Sequence, residues 1–231
     1  MRAHGPAPDM SGRRILLINP NSLEATTAMM VAIARSAIPD SFDIVGATAT
    51  RAPQMIVSAA ALDAAAPEVE EIASAHRNLC DGMIVAAFGD PGLAGIKSAL
   101  NLPAVGIGEA SMLAAAEGGR RFGVATTTPL LGAKIDALPE ALGLRSSYTG
   151  TRFADGDPHE LMRDSERLRA ALAGAVEACI VKDGAEAVII GGGPLGGAAR
   201  TLQPMFAVPI IAPIPSAVAR IICLVAARAA G

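Results

Sequence analysis

Four short segments carry groups able to handle a small polar ligand. In Asn19-Pro20-Asn21-Ser22, two amides flank a proline at the end of an apolar run. Asn21 or Ser22 suits the N-cap of a following helix, and neighbouring backbone N–H groups are placed to meet an anion. Thr126-Thr127-Thr128-Pro129 sets three hydroxyls before a proline at a helix start, where one can cap and the others donate to a carboxylate or ureide. Phe88-Gly89-Asp90-Pro91-Gly92-Leu93 offers Asp90, which before Pro91 reads as a helix cap and, if desolvated, as a general base. Gly191-Gly192-Gly193-Pro194-Leu195-Gly196-Gly197 allows close backbone approach and an amide-lined nest. It is neither GxGxxG nor GK[ST], so a nucleotide has little support.

Other candidates read as structural. His4, His76 and His159 have no metal-ligand spacing, and His76 reads as solvated helix surface. Cys80, Cys179 and Cys223 are odd in number and widely spaced in apolar text, and read as buried small hydrophobes rather than a disulfide set or metal site. Glu109, Ser111 and Ser216 are placed to line a cleft or to cap the helices that follow them, and read first as caps. No metal or cofactor is called for.

Short apolar runs alternate with Ala-rich segments, the pattern of βα units. Strands are expected at Ile15–Ile18, Phe42–Ala47, Gly82–Phe88, Ala104–Ile107, Phe122–Thr126, Ala187–Ile190 and Pro209–Ala212. Helices are expected at Leu23–Ala37, Ala66–Leu79, Leu93–Ala99, Ser111–Gly118, Pro129–Leu142, Ser165–Val181, Gly197–Met205 and Ser216–Ala230. Laid against itself, the chain repeats: the text from Arg13 returns at Arg120, that from Met83 at Val188 and that from Leu102 at Val208, offsets of 107, 105 and 106 residues. The fold class is therefore α/β, with two pseudosymmetric open parallel-sheet halves, helices on both faces and an interfacial cleft at the strands' carboxyl ends. The divisions are a disordered lead-in at 1–12, a first half at 13–110 and a second at 111–231, its C-terminal helix able to fold back on the first half.

Composition agrees with a compact α/β chain and narrows the partners. The 231 residues are 52% apolar, 18% charged and 3% aromatic, so small aliphatic side chains must fill the core. A net charge of −3 with scattered basic residues gives no nucleic-acid footprint. Residues 217–230 form the longest apolar stretch, broken by Arg220 and Arg228, and fall short of a membrane span. The N-terminus lacks the apolar core of a secretory signal, which places the protein in the cytoplasm. The apolar C-terminal helix points to a self-interface, hence a homo-oligomer that binds a small-molecule substrate, with no nucleic acid and no membrane.

Three strings, Ile18-Asn19-Pro20-Asn21-Ser22, Phe88-Gly89-Asp90-Pro91-Gly92-Leu93 and Val105-Gly106-Ile107-Gly108-Glu109-Ala110, together with the duplicated sheet, carry a family likeness. From about Arg14 to the C-terminus the chain resembles the aspartate/glutamate racemase superfamily, nearest its hydantoin and allantoin racemase branch. The resemblance implies two similar α/β halves around an interfacial active site that needs no cofactor. It also implies one cysteine from each half beside the substrate's stereogenic carbon, one thiolate removing the proton and the other thiol supplying one to the opposite face. This sequence departs at both positions, with Ala87 before Phe88 and Gly192 in the glycine-rich turn. Substrate-binding residues carried over are Asn19, Asn21, Ser22, Phe88 and Gly89, opposite Thr126, Thr127, Thr128, Gly192, Gly193 and Pro194. Asp90 is the nearest titratable residue to either vacated position, hence the catalytic candidate. The expected function is a cofactor-independent racemase- or epimerase-like enzyme acting on a small carboxylate or cyclic ureide. The alternatives are a cysteine-free lyase or hydrolase in the same pocket, or a non-catalytic small-molecule binding protein.

Overall fold

The computed structural model describes residues 12–230, and the lead-in expected at 1–12 lies outside them except for Gly12. Its first half runs β1 (Arg13–Asn19), α1 (Glu24–Arg35), β2 (Phe42–Thr48), α2 (Ala59–His76), β3 (Gly82–Val85), α3 (Leu93–Ala99), β4 (Ala104–Gly106) and α4 (Ile107–Ala115). The second runs β5 (Phe122–Thr126), α5 (Gly132–Ala141), β6 (Tyr148–Phe153), α6 (Pro158–Leu161), α7 (Ser165–Val181), β7 (Ala187–Gly191), α8 (Gly196–Leu202), β8 (Ile210–Ile211) and α9 (Pro213–Ala229). Two four-stranded sheets result, ordered β2-β1-β3-β4 and β6-β5-β7-β8. Their strand pairs are parallel, as βα crossovers require. The repeat extends to the edge strands, since Phe42 and Tyr148 open β2 and β6 at an offset of 106 residues.

The apolar strand text is used on both faces. Along β1, Ile15 and Leu17 point into a core shared with Phe122, Val124 and Ile189 of the second sheet. Leu16 and Ile18 point the other way, onto Val69, Ala73, Leu93 and Ile96 of α2 and α3. The outer face of the second sheet is covered the same way, Val188 and Ile190 lying under Leu172, Val176 and Leu202. Helices α1, α4 and α9 contribute Met30, Met112, Ile214, Val218 and Ile221 to the shared core.

Several elements differ from expectation. The apolar face of α9, expected at a self-interface, is buried inside the chain against α4, β3 and β4. Helix α4 starts directly at the end of β4, four residues before Ser111, so Ser111 sits within it and donates to the Ile107 and Gly108 carbonyls instead of capping. Ser216 likewise lies inside α9 and donates to the Ala212 carbonyl. The expected division at 110/111 falls within α4. Cys223 is exposed on α9 and Cys80 half-buried, leaving Cys179 as the one buried thiol among the three. His76 is half-buried, its Nδ1 2.8 Å from the Ile72 carbonyl. Among the described residues no helix is long and apolar enough to cross a membrane, and no cluster of His, Cys, Asp and Glu could hold a metal.

Candidate active site

A cavity of about 170 Å³ opens where the carboxyl ends of β1, β3, β5 and β7 converge, the place the duplicated sheet predicts. Its walls are the 86–88 turn after β3, the Thr127-Thr128 step after β5 and the 191–195 turn after β7. Pockets for drug-sized ligands span roughly 300–1,000 Å³, so this smaller space suits a small ring or acid.

The sequence candidates divide once placed. Asn21, Phe88, Thr127, Thr128, Gly192, Gly193 and Pro194 line the cavity, as do both vacated cysteine positions, Ala87 and Gly192. Asn19, Ser22, Gly89 and Thr126 do not. Asn19 is fully buried and builds the loop, its Nδ2 donating to Thr27 Oγ1 at 2.9 Å and its Oδ1 accepting from the Asn21 backbone and side chain, each at 3.0 Å. Asn21 Oδ1 in turn accepts the Ile56 N–H at 2.8 Å, so the Asn pair fixes the loop after β2 against the loop after β1. Neither Asn21 nor Ser22 caps α1, whose N-cap is Leu23 without a side-chain bond. Thr126 donates to the Gly191 carbonyl at 2.6 Å and pins the glycine-rich turn.

Asp90 is also elsewhere. It does not line the cavity, and it does not cap α3, whose N-cap is Gly92. Its carboxylate accepts the Gly108 and Glu109 N–H groups at 2.8 and 2.6 Å, capping α4 from a distant loop. Burial pushes its carboxyl up to about 7, against the pull of those two bonds.

None of the lining residues has an ionisable side chain. The polar surface is instead backbone, hydroxyl and the side-chain amides of Asn21 and Gln54. Among the described residues, the backbone N–H groups of Ala87, Phe88, Thr127, Thr128, Gly192 and Gly193 have no hydrogen-bond partner. The hydroxyls of Thr26 and Thr127, on residues 8% and 2% exposed, have none either. Among the described residues no side-chain oxygen is both enclosed and unpaired, so those hydroxyls open to the cavity. Donors that fold against nothing and border a cavity form a site for ligand oxygens.

Sequence reasoning missed Thr26 and the apolar wall of Leu23, Met55, Leu62, Leu131 and Met162. Thr26 sits in α1, where a hydroxyl reads as helix surface, and Met55, Leu62 and Met162 come from helices and loops distant in sequence from the strand-end motifs, while Leu23 and Leu131 follow those motifs as ordinary helix-entry leucines. The thiols stay outside the cavity. Burial, then Asp81, raises Cys80, and burial, then Asp183, pushes Cys179 up to about 12.

A family model described as Asp/Glu/Hydantoin racemase matches residues 15–221. A hydantoin racemase from Paenarthrobacter aurescens is 28% identical over 208 residues, covering 88% of this chain and 87% of that protein. An allantoin racemase from Klebsiella pneumoniae superposes with a TM-score of 0.88 at 28% identity, covering 94% and 89% of the two chains. A glutamate racemase from Bacillus anthracis shares the fold, with a TM-score of 0.66 at 14% identity over 94% of this chain and 83% of that one.

Proposed function

The chain belongs to the Asp/Glu/Hydantoin racemase family and is an isomerase of that superfamily, and from that premise we propose that it exchanges the proton on a carbon next to a carbonyl of a small cyclic ureide of the hydantoin type, without thiols and without a cofactor. The observation that carries this is a cavity whose lining includes unpaired N–H and O–H donors and no ionisable side chain. Such donors stabilise an enolate oxygen as it forms and so make the neighbouring C–H more acidic. With Ala87 and Gly192 in place of thiols, water or hydroxide takes the proton from one face and water returns one to the other. A planar enolate reprotonated from either side gives the racemate.

A cyclic ureide suits this lining better than a free amino acid. The unpaired N–H groups donate to either kind of oxygen, but no lining residue carries a carboxylate to meet an α-ammonium, and an unpaired charge in a desolvated site is costly. The apolar wall takes an aliphatic substituent.

The test follows exchange of the ring C–H into D2O by NMR, for 5-isobutylhydantoin, allantoin, aspartate and glutamate, before and after thiol alkylation. The expected result is hydantoin exchange above the buffer rate that survives alkylation. Exchange abolished by alkylation overturns the thiol-free mechanism. Saturable binding without exchange moves the assignment to a ligand-binding protein.

A further inference from the structure

Asp90 is the one non-glycine residue with positive φ among the described residues, at +51°. Asparagine and aspartate tolerate that region better than most residues, yet glycine would be easier still. The surroundings show why a carboxylate is kept. A Cβ on Gly106 would fall on the Asp90 carboxyl, and one on Gly108 would lie 3.0 Å from its Oδ2, so two glycines make a socket for it. Both oxygens are held by the first amides of α4. The backbone end of the same residue closes the cavity turn, Asp90 N–H donating to the Ala87 carbonyl at 3.0 Å, while its carbonyl accepts the Leu93 N–H at 3.2 Å.

We infer that Asp90 is the positioning residue of the cavity's first wall: clamped in the glycine socket at the start of α4, it holds the 87–90 turn so that the Ala87 and Phe88 N–H groups stay unpaired and available to ligand. This rests on those amides being the ligand's donors, as in the function proposed above. The clamp is also sensitive to protonation. An ionised carboxylate accepts both α4 amides, whereas the neutral acid turns one O–H toward a donor and keeps one good acceptor. Charged neighbours are Glu109 of α4, which opposes ionisation, and Lys97 of α3, which favours it and pairs with Glu109 at 2.5 Å. Glu70 of α2 lies on the far side of the same turn, beside Gly92 and Gly95.

The experiment is a ¹⁵N-resolved NMR titration of the wild-type chain from pH 5 to 9, repeated with Asp90→Asn and Asp90→Gly, plus affinity for 5-isobutylhydantoin at pH 8. The expected result is one titration in the Gly108 and Glu109 amides that also moves Ala87 and Phe88, absent from both variants. Asp90→Gly relieves the backbone, so it melts cooperatively while binding roughly tenfold more weakly through the loosened turn. If Gly108 and Glu109 titrate while Ala87 and Phe88 stay still, the positioning role is overturned, and so it is if Asp90→Gly binds as tightly as wild type. The wild-type titration decides the question even if Asp90→Asn does not fold. It uses neither turnover nor ligand, so failure of the proposed exchange chemistry shows separately.

Discussion

A thiol can be returned to Ala87 with little disturbance, because that residue already carries a Cβ at the cavity edge. Gly192 is harder: its φ is +150°, and a Cβ there would lie 3.0 Å from Leu195 Cδ1. Ala87→Cys should therefore raise hydantoin C–H exchange at least tenfold at pH 8.5, where an ordinary thiol is about half ionised, while racemisation rises less because the second face still depends on water. Parallel NMR exchange and polarimetry would show the split, and equal exchange rates in variant and wild type would count against the thiol-free reading of this cavity. At this scale the loops that carry chemistry were legible in sequence, since Asn-Pro-Asn, the threonine triplet and the glycine run are unusual strand endings. Which atoms each loop offers was not. Asn19 and Thr126 face inward to hold neighbouring loops, and Thr26 faces the cavity, because the register of a turn against a second, distant turn sets direction.

The loop between β2 and α2 supplies Gln54, Met55 and Ile56 to the cavity, and it is tied down at both ends. Asn21 holds Ile56, and Glu68, buried in α2, accepts from Thr50 N, Thr50 Oγ1 and Arg51 N at 2.7, 2.8 and 3.0 Å. Burial pushes the Glu68 carboxyl up, but these hydrogen bonds and the Arg51 charge outweigh it, and the net shift is downward. A lowered carboxyl stabilises the fold above its unfolded-state value and loses that contribution as pH falls through the folded one. Glu68→Gln should then destabilise by about 1–3 kcal/mol at pH 7, with the gap to wild type closing below pH 4. Urea melts at the two pH values test this, and a gap independent of pH would assign the effect to packing. Helix α2 also shows what pattern reading loses. Expected at Ala66–Leu79, it begins at Ala59 behind a Ser58 cap and runs through Pro67 to His76. Strand β6 was missed outright, since an edge strand reading Tyr148-Thr149-Gly150-Thr151-Arg152-Phe153 buries only its first residue and offers no apolar run. Helix α4 has no local cap to announce it, because its cap is Asp90 from another loop.

Duplication made the whole architecture legible, and sharing of the core is what duplication did not reveal. Two independent halves would each close their own interior, but here α9, the last helix of the chain, packs against β3 and β4 of the first sheet, in one core with Ile15, Leu17, Ile84 and Val105. Helix α9 buries Ile214, Val218, Ile221 and Val225, none more than 3% exposed. At roughly 1.5–3 kcal/mol for each such side chain, these four contribute about 6–12 kcal/mol, comparable to the roughly 5–15 kcal/mol of a domain's net stability. A chain ending at Ala212 should therefore lose the cooperative melt of both halves, because the face it uncovers belongs to the core they share. Calorimetry and near-ultraviolet circular dichroism of that truncation would register the loss. A truncated chain that still melts in one sharp transition and binds 5-isobutylhydantoin would mean the first sheet is stable without its C-terminal cover, and that the cavity between the halves is held by the strand-end loops alone.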